Sequence, residues 1–153
     1  MSTQIEIEKK YLLKELPEYL ADLPQVEIDQ GYLAIDERGV EVRLRKAGET
    51  RLLTVKTQQG DTRVEREITL SADQFAELWP ATQGRRLRKV RYRMPYDGFT
   101  IEIDVYKGHA SGITVAEIEF PDPAARAAFE KPDWLGEDVS GIAKYSNHVL
   151  ARE

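Results

Sequence analysis

Charged and bulky side chains alternate through seven short stretches of this chain, and no other feature of the sequence constrains the fold as strongly. Successive side chains on a β-strand project to opposite faces, so a period of two separates an apolar face from an ionic one. In Ile5-Glu6-Ile7-Glu8-Lys9-Lys10 the residues Glu6, Glu8 and Lys10 share one face, with Ile5, Ile7 and Tyr11 on the other. The same arithmetic groups Glu41, Arg43 and Arg45 within 41–46, puts Lys56 in phase with Thr54 within 51–56, and groups Arg63, Glu65 and Glu67 within 62–68. Lys89, Arg91 and Arg93 line up within 89–93, Glu102 and Asp104 within 100–106, and Glu117 and Glu119 within 115–120.

An antiparallel sheet with one wet side produces such alternation routinely. Its wet side ordinarily mixes Thr, Ser, Gln and Lys, whereas this one is almost wholly ionised and rich in Arg, the residue suited to a bidentate grasp of phosphate oxygens. If the ionic faces point inward, a sheet closed on itself gains a lumen lined by both signs of charge, and its apolar outer face needs cover. Helices can supply that cover. Ser71 and Gln74 form a capping box ahead of Phe75, Leu78 and Trp79, which predicts a helix stopping near Pro80. Asp122 followed by Pro123 predicts a second helix reaching Phe129, and the spacing of Ile142, Tyr145, Val149 and Leu150 predicts a third within 140–153. The expected class is α+β, mainly β, with helices outside an antiparallel sheet.

A chain of 153 residues fits one domain, 1–153, and is long enough for a real core. With 22 basic and 27 acidic residues the net charge is −5, which argues against a general nucleic-acid binder. Carboxylates interleaved with the basic groups would repel a polyanion unless a divalent cation lay between them, and oxygen-only ligands favour Mg²⁺ or Mn²⁺. No cysteine is present, so disulfides and thiolate metal sites are excluded. Neither a signal core nor a transmembrane run is visible, and cytoplasmic residence without membrane association is expected. No Ser-His-Asp or Cys-His arrangement points to a covalent intermediate. His109 reads as a loop residue, His148 as an exposed or locally bonded helix residue, and Trp79 as core.

Taken in order, Glu6-x-Glu8-x-Lys10, Gln30-Gly31-Tyr32-Leu33, Arg43-x-Arg45, Lys56, Arg63-x-Glu65-x-Glu67, Lys89-x-Arg91-Tyr92, Glu102-x-Asp104, Glu117-x-Glu119, the run 134–140 and Tyr145-Ser146-Asn147 resemble, nearly end to end, the CYTH proteins, also called triphosphate tunnel metalloenzymes. The resemblance is to the short bacterial branch. It implies a closed eight-stranded antiparallel barrel whose lumen binds a triphosphate and a divalent metal, Mg²⁺ or Mn²⁺. The implied activity is metal-dependent hydrolysis of inorganic tripolyphosphate to pyrophosphate and phosphate. A class IV adenylate cyclase, a thiamine or nucleoside triphosphatase, and a non-catalytic polyphosphate-binding module are the alternatives.

Carried over residue by residue, the resemblance makes Glu6, Glu8 and Glu119 metal ligands, with Asp104 and Glu117 near a second metal or the attacking water. Lys10, Tyr32, Arg43, Arg45, Lys56, Arg63, Lys89 and Arg91 would meet the phosphates, and Glu65, Glu67 and Glu102 would orient the basic groups. The catalytic set would be Glu6, Glu8, Lys10, Lys89, Asp104 and Glu117. The expected partner is a small anionic substrate, tripolyphosphate or an organic triphosphate, bound by a monomer or homodimer.

Overall fold

The computed structural model describes residues 2–153. Nine strands form one antiparallel sheet: β1 (Ser2–Ile5), β2 (Glu8–Leu12), β3 (Gln25–Ile35), β4 (Glu41–Ala47), β5 (Thr50–Gln59), β6 (Thr62–Thr69), β7 (Arg86–Tyr96), β8 (Phe99–Lys107) and β9 (Thr114–Glu119). Their order across the sheet is β1-β6-β5-β4-β3-β7-β8-β9-β2. The period-two pattern is obeyed throughout, and tight turns set the register. Between β7 and β8, Asp97 and Gly98 both have positive φ, 47° and 78°, the backbone that a two-residue turn matched to strand twist requires.

The expected first strand is two strands. β1 pairs with β6 and β2 with β9, at opposite ends of the sheet order, and only Glu6 and Ile7 separate them. The Glu6 amide donates to Arg63 O and the Ile7 carbonyl accepts from Phe120, so the chain passes from one end of the sheet to the other without losing its hydrogen bonds. The sheet is therefore strongly curled.

β3 is the strand that alternation did not disclose. Its pairing with β4 slips between Tyr32 and Ala34, and Gly31 lies under the three-ten turn at Trp79–Thr82. A methyl group at Gly31 would come within 2.6 Å of Thr82 Cβ. Tyr32 lies in mid-strand and is buried.

The apolar outer face is covered less by helix than expected. α1 (Ala72–Leu78) has the expected capping box at Ser71 and Gln74, and Phe75 stacks on Trp79, whose ring carries the Arg86 guanidinium at 4.6 Å. α1 ends at Leu78, close to Pro80 as expected, and a three-ten turn over Trp79–Thr82 follows it. α2 (Pro123–Ala128) starts at Asp122, whose carboxylate accepts from the Ala125 amide. The main outer cluster of Tyr11, Met94, Ile101, Ile103 and Ile118 is sealed largely by irregular chain, through Leu13, Leu20, Phe129, Trp134 and Leu135.

The third expected helix is a correction. Residues 140–153 form a three-ten turn at Ala143–Tyr145 and a single turn, α3 (Asn147–Leu150), separated by Ser146 with extended backbone. This segment works as a strap. Residues 136–140 lie along the outer edge of β2, with hydrogen bonds joining Leu12 to Glu137 and Gly136 and Lys10 to Val139. Further on, Lys10 Nζ donates to Tyr145 O at 3.1 Å.

Candidate active site

The concave face of the sheet and the strap enclose a cavity of about 590 Å³. β2, β4, β5, β6, β7, β8 and β9 each contribute ionised side chains to it, because each strand turns its charged face inward. Lys10, Arg43, Arg45, Lys56, Arg63 and Arg91 line it together with Glu6, Glu8, Glu65, Glu102, Glu117 and Glu119.

Positive and negative groups are sorted into walls. Arg43 and Arg45 on β4 and Arg91 on β7 flank β3. Arg45 donates through Nε to Gln30 Oε1 at 3.0 Å, and Gln30 Nε2 donates to the Tyr32 hydroxyl at 3.0 Å. With its oxygen accepting from Gln30, Tyr32 keeps its own proton for a ligand, and burial raises its pKa well above the ordinary phenol value, so it stays a donor. Burial and the neighbouring guanidiniums of Arg43 and Arg91 push Arg45 down to about 10. Arg43 Nη2 donates to Thr54 at 3.3 Å, while its buried Nε has no hydrogen-bond partner. Arg45 is the one guanidinium of the three with no ion-pair partner among the described residues, since Arg91 meets Asp104 and Glu102 and Arg43 approaches Glu67.

The facing wall is acidic. Glu8 stands opposite Glu119 across β2 and β9, and Glu102 opposite Glu117 across β8 and β9. Burial, then the charges of Glu117 and Glu6, push Glu8 up to about 8. Burial and Glu102 likewise raise Glu119. Burial alone would raise Glu117 as well, but Lys10, whose Nζ lies 3.3 Å away, and Arg91 bring it down. Glu6 is also held low against burial, by Lys56 at 2.7 Å and Arg63 at 3.2 Å.

Among the described residues no three Asp, Glu or His side chains converge into a ready-made metal cage. The donor chemistry nonetheless fits a hard divalent cation. Glu8 and Glu119 are oxygen donors whose ionised forms are opposed first by burial and then by neighbouring carboxylates, and a cation beside them would offset both.

Two expected site residues lie behind the lining. Asp104, expected near a cation or the attacking water, has both oxygens engaged, Oδ1 by Arg91 Nε at 2.7 Å and Oδ2 by Arg91 Nη2 at 2.9 Å and Lys89 Nζ at 2.8 Å. Lys89, expected on phosphate, is buried against Asp104 and reaches Asn147 Oδ1 at 3.4 Å. Burial lowers Lys89 to about 7 in spite of Asp104. For Asp104 the balance runs the other way: burial opposes ionisation, and Lys89 and Arg91 outweigh it. Glu67, expected as an orienting group, receives the Thr54 hydroxyl at 2.9 Å and sits 4.0 Å from Arg43. Glu65 lines the cavity, and Glu102 braces Arg91 at 3.4 Å.

Several lining groups were given no site role by the sequence reading. Glu41 was visible as part of an ionic face, and it pairs with Arg63 at 3.6 Å and with His148 Nδ1 at 3.2 Å. His148 and Asn147 come from the strap, where helical spacing drew attention to the apolar residues instead. Arg126, anchored on Glu8 O at 2.9 Å, arrives from α2 and has no signal in a strand pattern.

The CYTH domain model matches residues 4–147. An inorganic triphosphatase of Nitrosomonas europaea is 41% identical over 148 residues, covering 95% of this chain and 96% of that protein. An inorganic triphosphatase of Acetivibrio thermocellus is 35% identical over 149 residues, 96% and 93% of the two chains. A crystal structure described as an inorganic triphosphatase superposes with a TM-score of 0.72 at 39% identity, over 97% of this chain and 98% of its own. A putative adenylate cyclase from Bacillus halodurans shares the fold at 17% identity and a TM-score of 0.63, over 83% and 86% of the chains. With the family model spanning nearly all of the strands that build the cavity, the chain belongs to the CYTH domain family.

Proposed function

We propose that this protein is a metal-dependent triphosphatase that hydrolyses inorganic tripolyphosphate to pyrophosphate and orthophosphate. The sorting of charge within the cavity carries this reading. Among the described residues one wall holds the Arg43 Nε with no partner and Arg45 with no carboxylate beside it, while the other holds Glu8 and Glu119, raised by burial and by nearby carboxylates. A polyanion complexed with a divalent cation satisfies both walls at once, and a bare anion satisfies only the first. The two relatives named inorganic triphosphatase support the same activity.

In this reading residues 2–12 act as one bent strand, and the curled sheet is a tunnel of eight strands closed by that segment. Glu8 and Glu119, with Glu6 and Glu117 nearby, would hold Mg²⁺ or Mn²⁺, and such a cation would supply charge neutralisation on the phosphate oxygens and a more acidic water. Lys10, Arg43, Arg45, Lys56, Arg63 and Arg91 grip the triphosphate from several strands, which fixes it for in-line attack by water. Tyr32 donates its hydroxyl proton to a phosphate oxygen. Asp104 and Lys89 act through the groups they hold: Asp104 fixes the Arg91 fork, and Lys89 fixes Asp104 and the strap's Asn147. The leaving pyrophosphate departs with its charge balanced by the same guanidiniums. Small size and negative charge make the substrate a soluble anion, and no helix among the described residues is long and apolar enough to cross a membrane.

The test is phosphate release from tripolyphosphate, ATP, thiamine triphosphate and pyrophosphate, each with Mg²⁺, Mn²⁺ or EDTA. Metal-dependent release that is fastest from tripolyphosphate upholds the reading. Formation of cyclic AMP from ATP without phosphate release from tripolyphosphate would replace it with a cyclase, and tight tripolyphosphate binding without turnover under any cation would replace it with a binding module.

A further inference from the structure

The strap brings an imidazole to the cavity. His148 lies in α3, lines the cavity wall, and meets Tyr32 edge-on at 6.4 Å between ring centroids with a 77° interplanar angle. Its Nδ1 is 3.2 Å from Glu41 Oε1, and Glu41 is a buried carboxylate that also receives Arg63 Nη2 at 3.6 Å. Only the imidazolium carries N–H donors on both nitrogens, so with Nδ1 beside this carboxylate it keeps a second donor, Nε2–H, for an anion. No partner of Nε2 is found among the described residues.

Position gives this nitrogen its meaning. Lys56, Glu6, Arg63 and Glu41 alternate in charge and lead to the His148 imidazole, with successive separations of 2.7, 3.2, 3.6 and 3.2 Å. The series runs from the metal-side carboxylate Glu6 to the strap. Within it Glu41 is shared between the guanidinium and the imidazole, so an anion that takes up Arg63 leaves Glu41 to His148 alone. The imidazole is thus braced from behind, against a tyrosine already aimed at the phosphates, at the end of the cavity that the strap covers.

We infer that His148 is a further substrate-binding residue, its Nε2 meeting the phosphate that lies at the strap end of the cavity while Glu41 holds Nδ1. This rests on the triphosphatase reading and adds a phosphate contact to it. The residue it adds to the phosphate-binding set comes from the strap and not from a strand of the sheet.

The experiment measures kcat and KM for tripolyphosphate in the full chain bearing His148→Phe, which keeps the ring against Tyr32 and removes both nitrogens, and His148→Gln, which restores an amide donor. A single charge-assisted hydrogen bond is worth about a tenfold change in affinity. His148→Phe is therefore expected to raise KM about tenfold, a larger effect than on kcat, with His148→Gln recovering most of the loss. Isothermal titration of tripolyphosphate in EDTA onto both variants should show the same order of affinity. A KM for His148→Phe within twofold of the unsubstituted protein, or a loss in Gln equal to that in Phe, overturns the inference while leaving the triphosphatase reading intact. That reading fails separately, if the unsubstituted protein releases no phosphate from tripolyphosphate.

Discussion

The Lys89 ammonium sits 2.8 Å from Asp104, with both side chains completely shut off from solvent. Arg91 grips the same carboxylate through two nitrogens. Removing one partner from such a cluster leaves buried charge uncompensated, which costs about 3–5 kcal/mol. Asp104→Asn halves the acceptors available to two buried cations, and a loss of that size in urea unfolding is the expected outcome. A loss under about 1 kcal/mol would mean that Lys89 is neutral in the folded protein.

Glu8 makes stability depend on pH and on metal. Its pKa is raised from 4.5 to about 8, so the folded state holds this proton more tightly than the unfolded state does. The stabilisation is fully present below about pH 4.5 and is lost as the pH rises through about 8. In EDTA the melting temperature of the protein should fall by several degrees, relative to Glu8→Gln, between about pH 5 and 8.5. Millimolar Mg²⁺ or Mn²⁺ should remove most of that slope, because a bound cation takes the place of the proton. A scanning calorimetry series with and without metal checks both.

Arg45 separates function from stability. Its charge is opposed by burial and by Arg43 and Arg91, and its side chain is anchored only on Gln30, its cross-strand partner. Arg45→Gln keeps a donor within reach of Gln30 and removes the opposed charge. The expected result is a fall in kcat/KM for tripolyphosphate of at least about a hundredfold, with a melting temperature equal to or higher than that of the unsubstituted protein. A large drop in both would show that Arg45 is structural.

Gly136 admits no side chain. A methyl group there would stand 2.6 Å from Leu12 O, the acceptor of the Gly136 amide itself. Gly136→Ala must push residues 136–140 off the edge of β2, at about 1–3 kcal/mol. Hydrogen exchange should report faster loss of protection at Leu12 and Val139, whose amides bond across this edge, than at the β7 and β8 amides.

The ionic faces were legible because a strand's period of two is the simplest pattern a chain can carry, and Glu6, Glu8, Lys10, Arg43, Arg45, Arg91, Glu117 and Glu119 all reach the cavity that the pattern implies. β3 was hidden because its inward residues Ile28, Gln30 and Tyr32 carry no formal charge. The break at Glu6–Ile7 was hidden for a different reason: both halves keep one alternation, and only pairing to β6 and β9 tells them apart. Depth is likewise invisible in a pattern of faces. Lys89 and Asp104 share the phase of the lining residues yet lie behind it, because their charges satisfy each other and Arg91. The strap residues Asn147 and His148 were masked by an apolar spacing that reads as helix, while Gly141 at φ 73° and the extended Ser146 interrupt it.

The latch between Lys10 Nζ and Tyr145 O spans 135 residues of sequence, and the Lys10 amide reaches Ser140 Oγ across 130. Loop closure on that scale is among the slowest contacts a domain of this size can make. Every carboxylate of the acidic wall precedes Phe120 in the chain, whereas the segment that borders the cavity begins only near residue 136, so the last part of the chain to be synthesised is the part that completes the cavity's border.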